Sequence, residues 1–129
     1  MDRNKKVHFE NANPILRVEN MAAAVKYYVE VLGFTEADWG NGSFTNVSRD
    51  HAGIYLVQGE QGHPGTWVWV GVSDAEALYT EIKAKGARIH HAPRNYSWAL
   101  EMHVEDLDGN VLRFGSDPKA DQPYDTWEV

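Results

Sequence analysis

The chain has 129 residues, the size of one ordinary domain, and its 19 acidic against 12 basic residues give a net charge of -7. This acidity argues against nucleic acid or an anionic membrane surface as a partner, because both attract basic patches. The absence of cysteine excludes disulfide bonds, thiolate metal sites and a cysteine nucleophile. Residues 1–13 contain no apolar run, so we expect neither a signal peptide nor a membrane span. These features predict a soluble, cytoplasmic domain with an unusual 12% of aromatic residues, among them five tryptophans.

The first half of the chain, residues 13–57, predicts a β-α-β-β-β unit. A short strand over residues 14–18 precedes a helix over residues 21–32, for which Asn20 is the N-cap and Gly33 the stop signal. The apolar residues of that segment are spaced to share one helical face. A glycine-rich turn then predicts a hairpin within a run of three strands, which are expected over residues 34–39, 43–48 and 54–57.

The second half, residues 67–115, repeats this order of elements. Its helix is predicted over residues 74–85, with Ser73 and Glu76 forming a capping box at its start. The four strands are expected over residues 68–72, 87–90, 100–104 and 111–114. The two halves thus predict one domain of two modules, joined by a linker over residues 58–66 and followed by a loosely ordered tail or arm over residues 116–129.

Two tandem β-α-β-β-β modules resemble the vicinal oxygen chelate superfamily, which includes glyoxalase I, extradiol dioxygenases and bleomycin-resistance proteins. The likeness is carried by residues 16–18 leading to residues 27–28 and 32–34, and by residues 104–110 leading to residues 112–114. It implies an α+β fold in which each module curls a mixed sheet into half of a cupped site, with the helices on the convex side. It also implies a homodimer with two equivalent clefts at the subunit boundary.

Metal-dependent members of this family place one ligand on the first and last strand of each module. By register, the resemblance assigns those four positions here to Asn13, Tyr55, Trp67 and Arg113. None is a good ligand for a divalent cation, because asparagine is weak, tyrosine uncommon, tryptophan has no lone pair and arginine is a fixed cation. We therefore expect no metal and no other cofactor, as in the metal-free members that resemble bleomycin-resistance proteins.

Strand alternation indicates which side chains face the site. The valines of the strand over residues 68–72 share one face, which leaves Trp67 and Trp69 on the other, and the same parity places Glu101 and His103 opposite an apolar set. Trp98, three residues before Glu101, resembles the pattern that precedes the last hairpin in bleomycin-resistance-like members. The predicted ligand-binding residues are therefore Tyr55, Trp67, Trp69, Trp98, Glu101, His103 and Arg113.

Two further polar segments are not expected to bind a metal ion. Adjacent strand residues point to opposite faces, so His90 and His91 are not expected to serve one metal ion together. The acidic segment 106–110 lacks the spacing of a calcium-binding loop and is expected to be only a turn.

Three functions remain open at this point. The leading hypothesis is a metal-independent protein that sequesters a small aromatic or cationic compound, with Glu101 pairing a cationic group and Arg113 an anionic one. The alternative is a metal-dependent lyase or dioxygenase of the glyoxalase or extradiol type, in which Glu101 and His103 serve a displaced metal or act as acid and base. A third possibility is a regulatory or interaction domain whose site is closed and filled by its own tryptophans.

Overall fold

The computed structural model describes residues 6–127, which form eight strands, two α-helices and one π-helical segment. In chain order the strands and α-helices are β1 (Ile15–Arg17), α1 (Met21–Lys26), β2 (Thr35–Glu36), β3 (Phe44–Arg49), β4 (Ala52–Val57), β5 (Trp67–Gly71), α2 (Ala75–Ala84), β6 (Arg88–Asn95), β7 (Leu100–Glu105) and β8 (Val111–Ser116). No helix among the described residues is long and apolar enough to cross a membrane.

The strands form two four-stranded mixed sheets of the same design. The order is β1-β4-β3-β2 in the first sheet and β5-β8-β7-β6 in the second. In each, the first strand of the unit pairs in parallel with the last, and the remaining pairs are antiparallel. The predicted α+β class, with two β-α-β-β-β units, is confirmed.

The first helix begins where the sequence predicts but changes character along its length. Asn20 caps it by accepting a hydrogen bond from the amide of Ala23 at 3.0 Å. The helix is α-helical over Met21–Lys26 and continues as a π-helix over Tyr27–Val31, so the predicted single helix over residues 21–32 is two consecutive pieces.

The predicted capping box of the second helix is wrong by one residue. The N-cap is Asp74, whose carboxylate accepts a hydrogen bond from the amide of Ala77 at 3.0 Å, and the helix begins at Ala75. Aspartate and serine are comparable caps, so the composition of this segment could not choose between Ser73 and its neighbour.

Both sheets turn one face toward a single hydrophobic core. That core includes Leu16 and Leu56 from the first sheet, Met102 and Leu112 from the second, and Ile82 from α2, all of them fully buried. Because successive strand residues point to opposite faces, the other face of each sheet points away from this core. We call it the outer face of that sheet.

The acidic turn between β7 and β8 does more than reverse the chain. Asp106 is buried and accepts hydrogen bonds from the hydroxyl of Tyr28 at 2.8 Å and from the amides of Asp108 and Asn110 at 2.8 and 3.0 Å. The side-chain amide of Asn110 also donates to the carbonyl of Arg17 at 3.2 Å. The segment is the turn that the sequence predicts, and its polar groups also join the two modules.

Candidate functional site

The predicted site residues of the second module lie together on the outer face of its sheet. Trp67 and Trp69 lie on β5, on the side opposite the core-facing Val68 and Val70. Arg113 on β8 is the register partner of Trp69 across the parallel pair. We call this surface the tryptophan face and define it by Trp67, Trp69, Trp98, His103 and Arg113.

Glu101 lies beneath the tryptophan face and forms, with its partners Arg113 and His103, a polar cluster that we call the hub. Its side chain is fully buried, and its Oε1 accepts hydrogen bonds from Nε1 of Trp98 at 2.7 Å and Nη2 of Arg113 at 2.9 Å. Its Oε2 accepts from Nε of Arg113 at 2.9 Å and from Nε2 of His103 at 3.1 Å. Each carboxylate oxygen thus accepts two hydrogen bonds, which uses the full acceptor capacity of the group.

These contacts fix the charges of the hub. Burial by itself would raise the pKa of Glu101, but the hydrogen bonds from Arg113, Trp98 and His103 outweigh burial and hold that pKa below its ordinary value. Burial lowers the pKa of His103 to about 4, with a further contribution from the neighbouring His91. At neutral pH the hub is therefore a carboxylate paired with one guanidinium, beside an uncharged imidazole.

Aromatic rings surround the hub. Trp67 packs edge-to-face against His103, with ring centroids 5.3 Å apart. Trp98 stacks on Tyr96 with centroids 4.8 Å apart and planes only 3° from parallel. Tyr96 is buried, so it forms a rigid base for the half-exposed Trp98.

The ring of Trp69 lies over the guanidinium of Arg113 at 5.5 Å, within the range of a cation–π interaction. A glycine makes this position possible. A Cβ atom at Gly115, the next-but-one residue on β8, would collide with the six-membered ring of Trp69. The backbone at Gly115 therefore provides the space in which the indole lies.

The expectation that His90 and His91 point to opposite faces is wrong. Their ring centroids lie 6.1 and 3.9 Å from that of His103, so both rings lie beside the tryptophan face. The reason is the irregular pairing of β6 with β7, whose register shifts on both sides of His91. Pro93 in this edge strand was the available signal, because proline in a strand marks an edge or a bulge.

Tyr55 is not brought together with the other predicted residues. It lies on the outer face of the first sheet, where its ring stacks on Phe44 with centroids 5.1 Å apart. Trp39 packs against both rings at 6.1 and 6.3 Å and is 56% exposed. We call these three residues the Tyr55 face, which belongs to the first sheet, whereas the tryptophan face belongs to the second.

The donor set does not fit the metal that some members of the resembled family use. Of the four register positions, Trp67 offers no lone pair and Arg113 is a cation already paired with Glu101. Glu101 has no acceptor capacity left for a displaced metal. Across residues 6–127, no three histidine, cysteine or acidic side chains are grouped so that they could hold an ion.

A cavity of about 690 Å³ lies elsewhere, between the two modules. Its walls come from residues 11–14, the β3–β4 turn, β5 and the start of α2. Among the predicted site residues only Trp69 lines it. This cavity therefore does not coincide with the tryptophan face.

Sequence reasoning left three neighbours of the hub out of the site. Tyr96 is buried under Trp98, His91 contacts His103, and Trp127 packs against Tyr96, Trp98 and His103 with centroids 5.6, 6.0 and 5.7 Å away. Tyr96 follows the end of the bulged strand β6, and no periodicity marks it. Trp127 lies in a segment without regular structure, where alternation gives no orientation.

The match to a family model agrees with this architecture. The model of the glyoxalase/bleomycin resistance protein/dioxygenase superfamily matches residues 7–114, which is most of the chain. The chain therefore belongs to this superfamily. Among curated proteins, none matches the chain significantly.

Solved structures place the same fold in antibiotic-binding proteins. The bleomycin-binding protein of bleomycin-producing Streptomyces verticillus, solved with copper(II)-bleomycin, is 26% identical with a TM-score of 0.74, covering 88% of this chain and 100% of its own. TnmS3, an antibiotic-binding protein of Streptomyces sp. CB03234, is 23% identical with the same TM-score and coverage. A glyoxalase/bleomycin resistance protein of that strain is 23% identical with a TM-score of 0.66, covering 81% of this chain and 100% of its own.

Proposed function

We propose that this protein binds a small compound through a planar aromatic group on the tryptophan face, without a metal. The observation that carries the proposal is the exposure of its three indoles. Trp67, Trp69 and Trp98 are 51%, 49% and 49% exposed, although they lie together around one buried ionic hub. Contiguous exposed apolar surface of this kind is typical of binding sites in soluble proteins.

The chemistry of the hub favours an aromatic over a cationic ligand at this position. Glu101 was expected to pair with a cationic group, but all of its acceptor capacity is already used. Arg113 is the charged group that reaches the surface, with its side chain 28% exposed and Nη1 left over from its two bonds to Glu101. The face therefore offers stacking surfaces and a donor to a ligand acceptor.

The relative from Streptomyces verticillus supports the ligand class. That protein binds copper(II)-bleomycin, and the structural match covers its whole chain at 26% identity. We accordingly take glycopeptides of the bleomycin type as the first ligands to test. The cytoplasmic location expected from the composition belongs to the same proposal.

The two outer faces support a homodimer as part of the functional unit. Within one chain the Tyr55 face and the tryptophan face belong to different sheets, and no aromatic contact among the described residues joins them. In a symmetric dimer, the Tyr55 face of one copy would cover the tryptophan face of the other, and the symmetry makes this contact twice. Light scattering tests this: we expect twice the chain mass of 14.6 kDa, and a monomer that still binds ligand would contradict it.

A tryptophan-fluorescence titration with metal-free bleomycin tests the binding site. We expect saturable quenching in the wild type and an affinity about two- to tenfold weaker in Trp67→Leu, since one well-formed aromatic contact adds about 0.5–1.5 kcal/mol beyond its buried area. Leu107→Ala, which removes an exposed apolar side chain from the β7–β8 turn, is the matched control and should bind normally. Absence of quenching in the wild type would remove this class of ligand.

A further inference from the structure

The segment after β8, residues 117–127, is tied to the second module through Asn95 and through an ion pair of Lys119 with Glu76. We call this segment the strap. Nδ2 of the buried Asn95 donates to the carbonyls of Lys119 and Pro123 at 3.0 and 3.1 Å, and its Oδ1 accepts from the amide of Lys119 at 2.8 Å. The backbone carbonyl of Asn95 accepts from the amide of Asp125 at 2.7 Å. These bonds hold the strap to the end of β6.

The strap brings Trp127 onto the hub of the tryptophan face. The guanidinium of Arg113 lies over the Trp127 ring, 5.0 Å from its centroid. The same ring meets Tyr96 and Trp98 at interplanar angles of 65°, the edge-to-face geometry that aromatic pairs prefer. Trp127 therefore makes the contacts with Arg113 and Trp98 that an aromatic ligand on this face would make.

We propose that Trp127 is an internal occupant of the ligand site, and that a planar aromatic group of the ligand replaces its indole over Arg113 when the strap is displaced. This inference rests on the proposed function. It narrows the ligand chemistry, because the group that enters must present an uncharged π face to the guanidinium of Arg113. A cationic ring would be repelled there, since Glu101 is already paired with that guanidinium.

Displacement of the strap has a measurable consequence for affinity. When only a fraction of the molecules has an open site, the apparent affinity equals the affinity of the open site multiplied by that fraction. Removing the Trp127 ring makes every site open and should tighten ligand binding. Loosening the strap at Asn95 should have the same effect.

The test uses N-acetyltryptophanamide, a neutral probe with the ring of Trp127, in ligand-observed NMR titrations of the full chain. Trp127→Ala should bind the probe at least about tenfold more tightly than the wild type, as expected if fewer than one site in ten is open. Asn95→Asp should act in the same direction, because its second oxygen would face the carbonyls of Lys119 and Pro123. Tyr124→Ala removes another exposed aromatic from the strap and should bind as the wild type does.

Each other outcome overturns the inference. Equal affinities in the wild type and Trp127→Ala would show that the indole does not occupy the probe's position, and weaker binding would make Trp127 a wall of the site. Failure of every variant to bind the probe would mean that no aromatic site lies over Arg113. Metal-free bleomycin separates this result from the proposed function: unchanged, tight binding in Trp127→Ala refutes the strap alone, whereas probe binding without bleomycin binding refutes the glycopeptide ligand alone.

Discussion

Arg113 donates two hydrogen bonds to Glu101, from Nε to Oε2 and from Nη2 to Oε1, each 2.9 Å long. This paired geometry fixes both side chains and is stronger than a single ionic contact. It also aims the guanidinium at the ring of Trp69 above it. The stacking surface of the tryptophan face therefore rests on an ion pair that is completed within the chain.

Glu101→Gln should reduce the free energy of unfolding by about 3–5 kcal/mol, the usual cost of breaking a buried ion pair by removing one partner. Glutamine has the same shape, but either orientation of its amide turns an NH₂ group toward donors from Trp98, Arg113 or His103. Urea unfolding measures the change.

Another paired contact of this kind, between Arg49 and Glu81, provides a control. Arg49 donates to both oxygens of Glu81 at 2.7 and 2.9 Å, but these side chains are 34% and 37% exposed. Glu81→Gln should therefore reduce stability by about 1 kcal/mol or less, as for other solvent-exposed pairs. Equal losses at Glu81 and Glu101 would contradict the role assigned to burial of the hub.

Stability should fall on acidification because of His103. Its pKa is lowered from 6.5 to about 4 in the folded protein, so below pH 6.5 the unfolded chain binds a proton that the folded chain does not. The free energy of unfolding should decline as the pH falls from 6.5 to 4, by about 3 kcal/mol in total from this residue. His91, whose pKa is also lowered by burial, acts in the same direction.

Urea unfolding of the wild type and of two variants at a series of pH values tests this dependence of stability on pH. His103→Gln keeps a donor for Glu101 but cannot titrate, so its stability should change much less over this range. His63→Gln, in the exposed linker, should keep the slope of the wild type. A slope that survives in His103→Gln would refute the assignment.

Tyr28→Phe should reduce the free energy of unfolding by about 1.5–3 kcal/mol, the usual contribution of a hydrogen bond to a charged group. The substitution removes the hydroxyl that donates to the buried carboxylate of Asp106 at 2.8 Å, across the boundary between the modules. Tyr79→Phe is the control, because its hydroxyl accepts only an exposed hydrogen bond from Lys83. A loss no larger than that of the control would contradict the importance of the Asp106 contacts.

Gly115→Ala should displace the ring of Trp69, because the new Cβ atom would overlap it. We expect a loss of about 1–3 kcal/mol in stability, as for other overpacked sites, together with weaker ligand binding. Gly42→Ala is the control, since a Cβ atom there meets open space. Tryptophan fluorescence and thermal unfolding report the two effects, and a Gly115→Ala protein indistinguishable from the wild type would contradict this placement of Trp69.

The parts of the structure that depend on local pattern were predictable from the sequence. Alternation along β5 correctly separates Trp67 and Trp69 from the core-facing valines, and the Asn20 cap starts the first helix as expected. Alternation also brings Glu101 and His103 to one side of β7, where they are directly hydrogen-bonded. These features follow from the two-residue period of strands and from capping chemistry.

The parts that depend on long-range packing were not predictable in this way. Tyr55 follows the alternation of its own strand, but no pattern in the sequence shows that its ring packs within the first sheet, apart from the residues of the tryptophan face. The bulge that brings His91 to His103 shifts parity within β6. Trp127 reaches the hub through the bonds that Asn95 makes to the strap, a contact between positions with no shared period.

The most direct test of the central claim is a calorimetric titration of the wild-type protein with metal-free bleomycin in the presence of EDTA. If the tryptophan face binds an aromatic ligand without a metal, the titration should show saturable heat, one ligand per chain, and the same affinity with and without the chelator. Binding that disappears in EDTA, or no heat of binding in either condition, would contradict the claim.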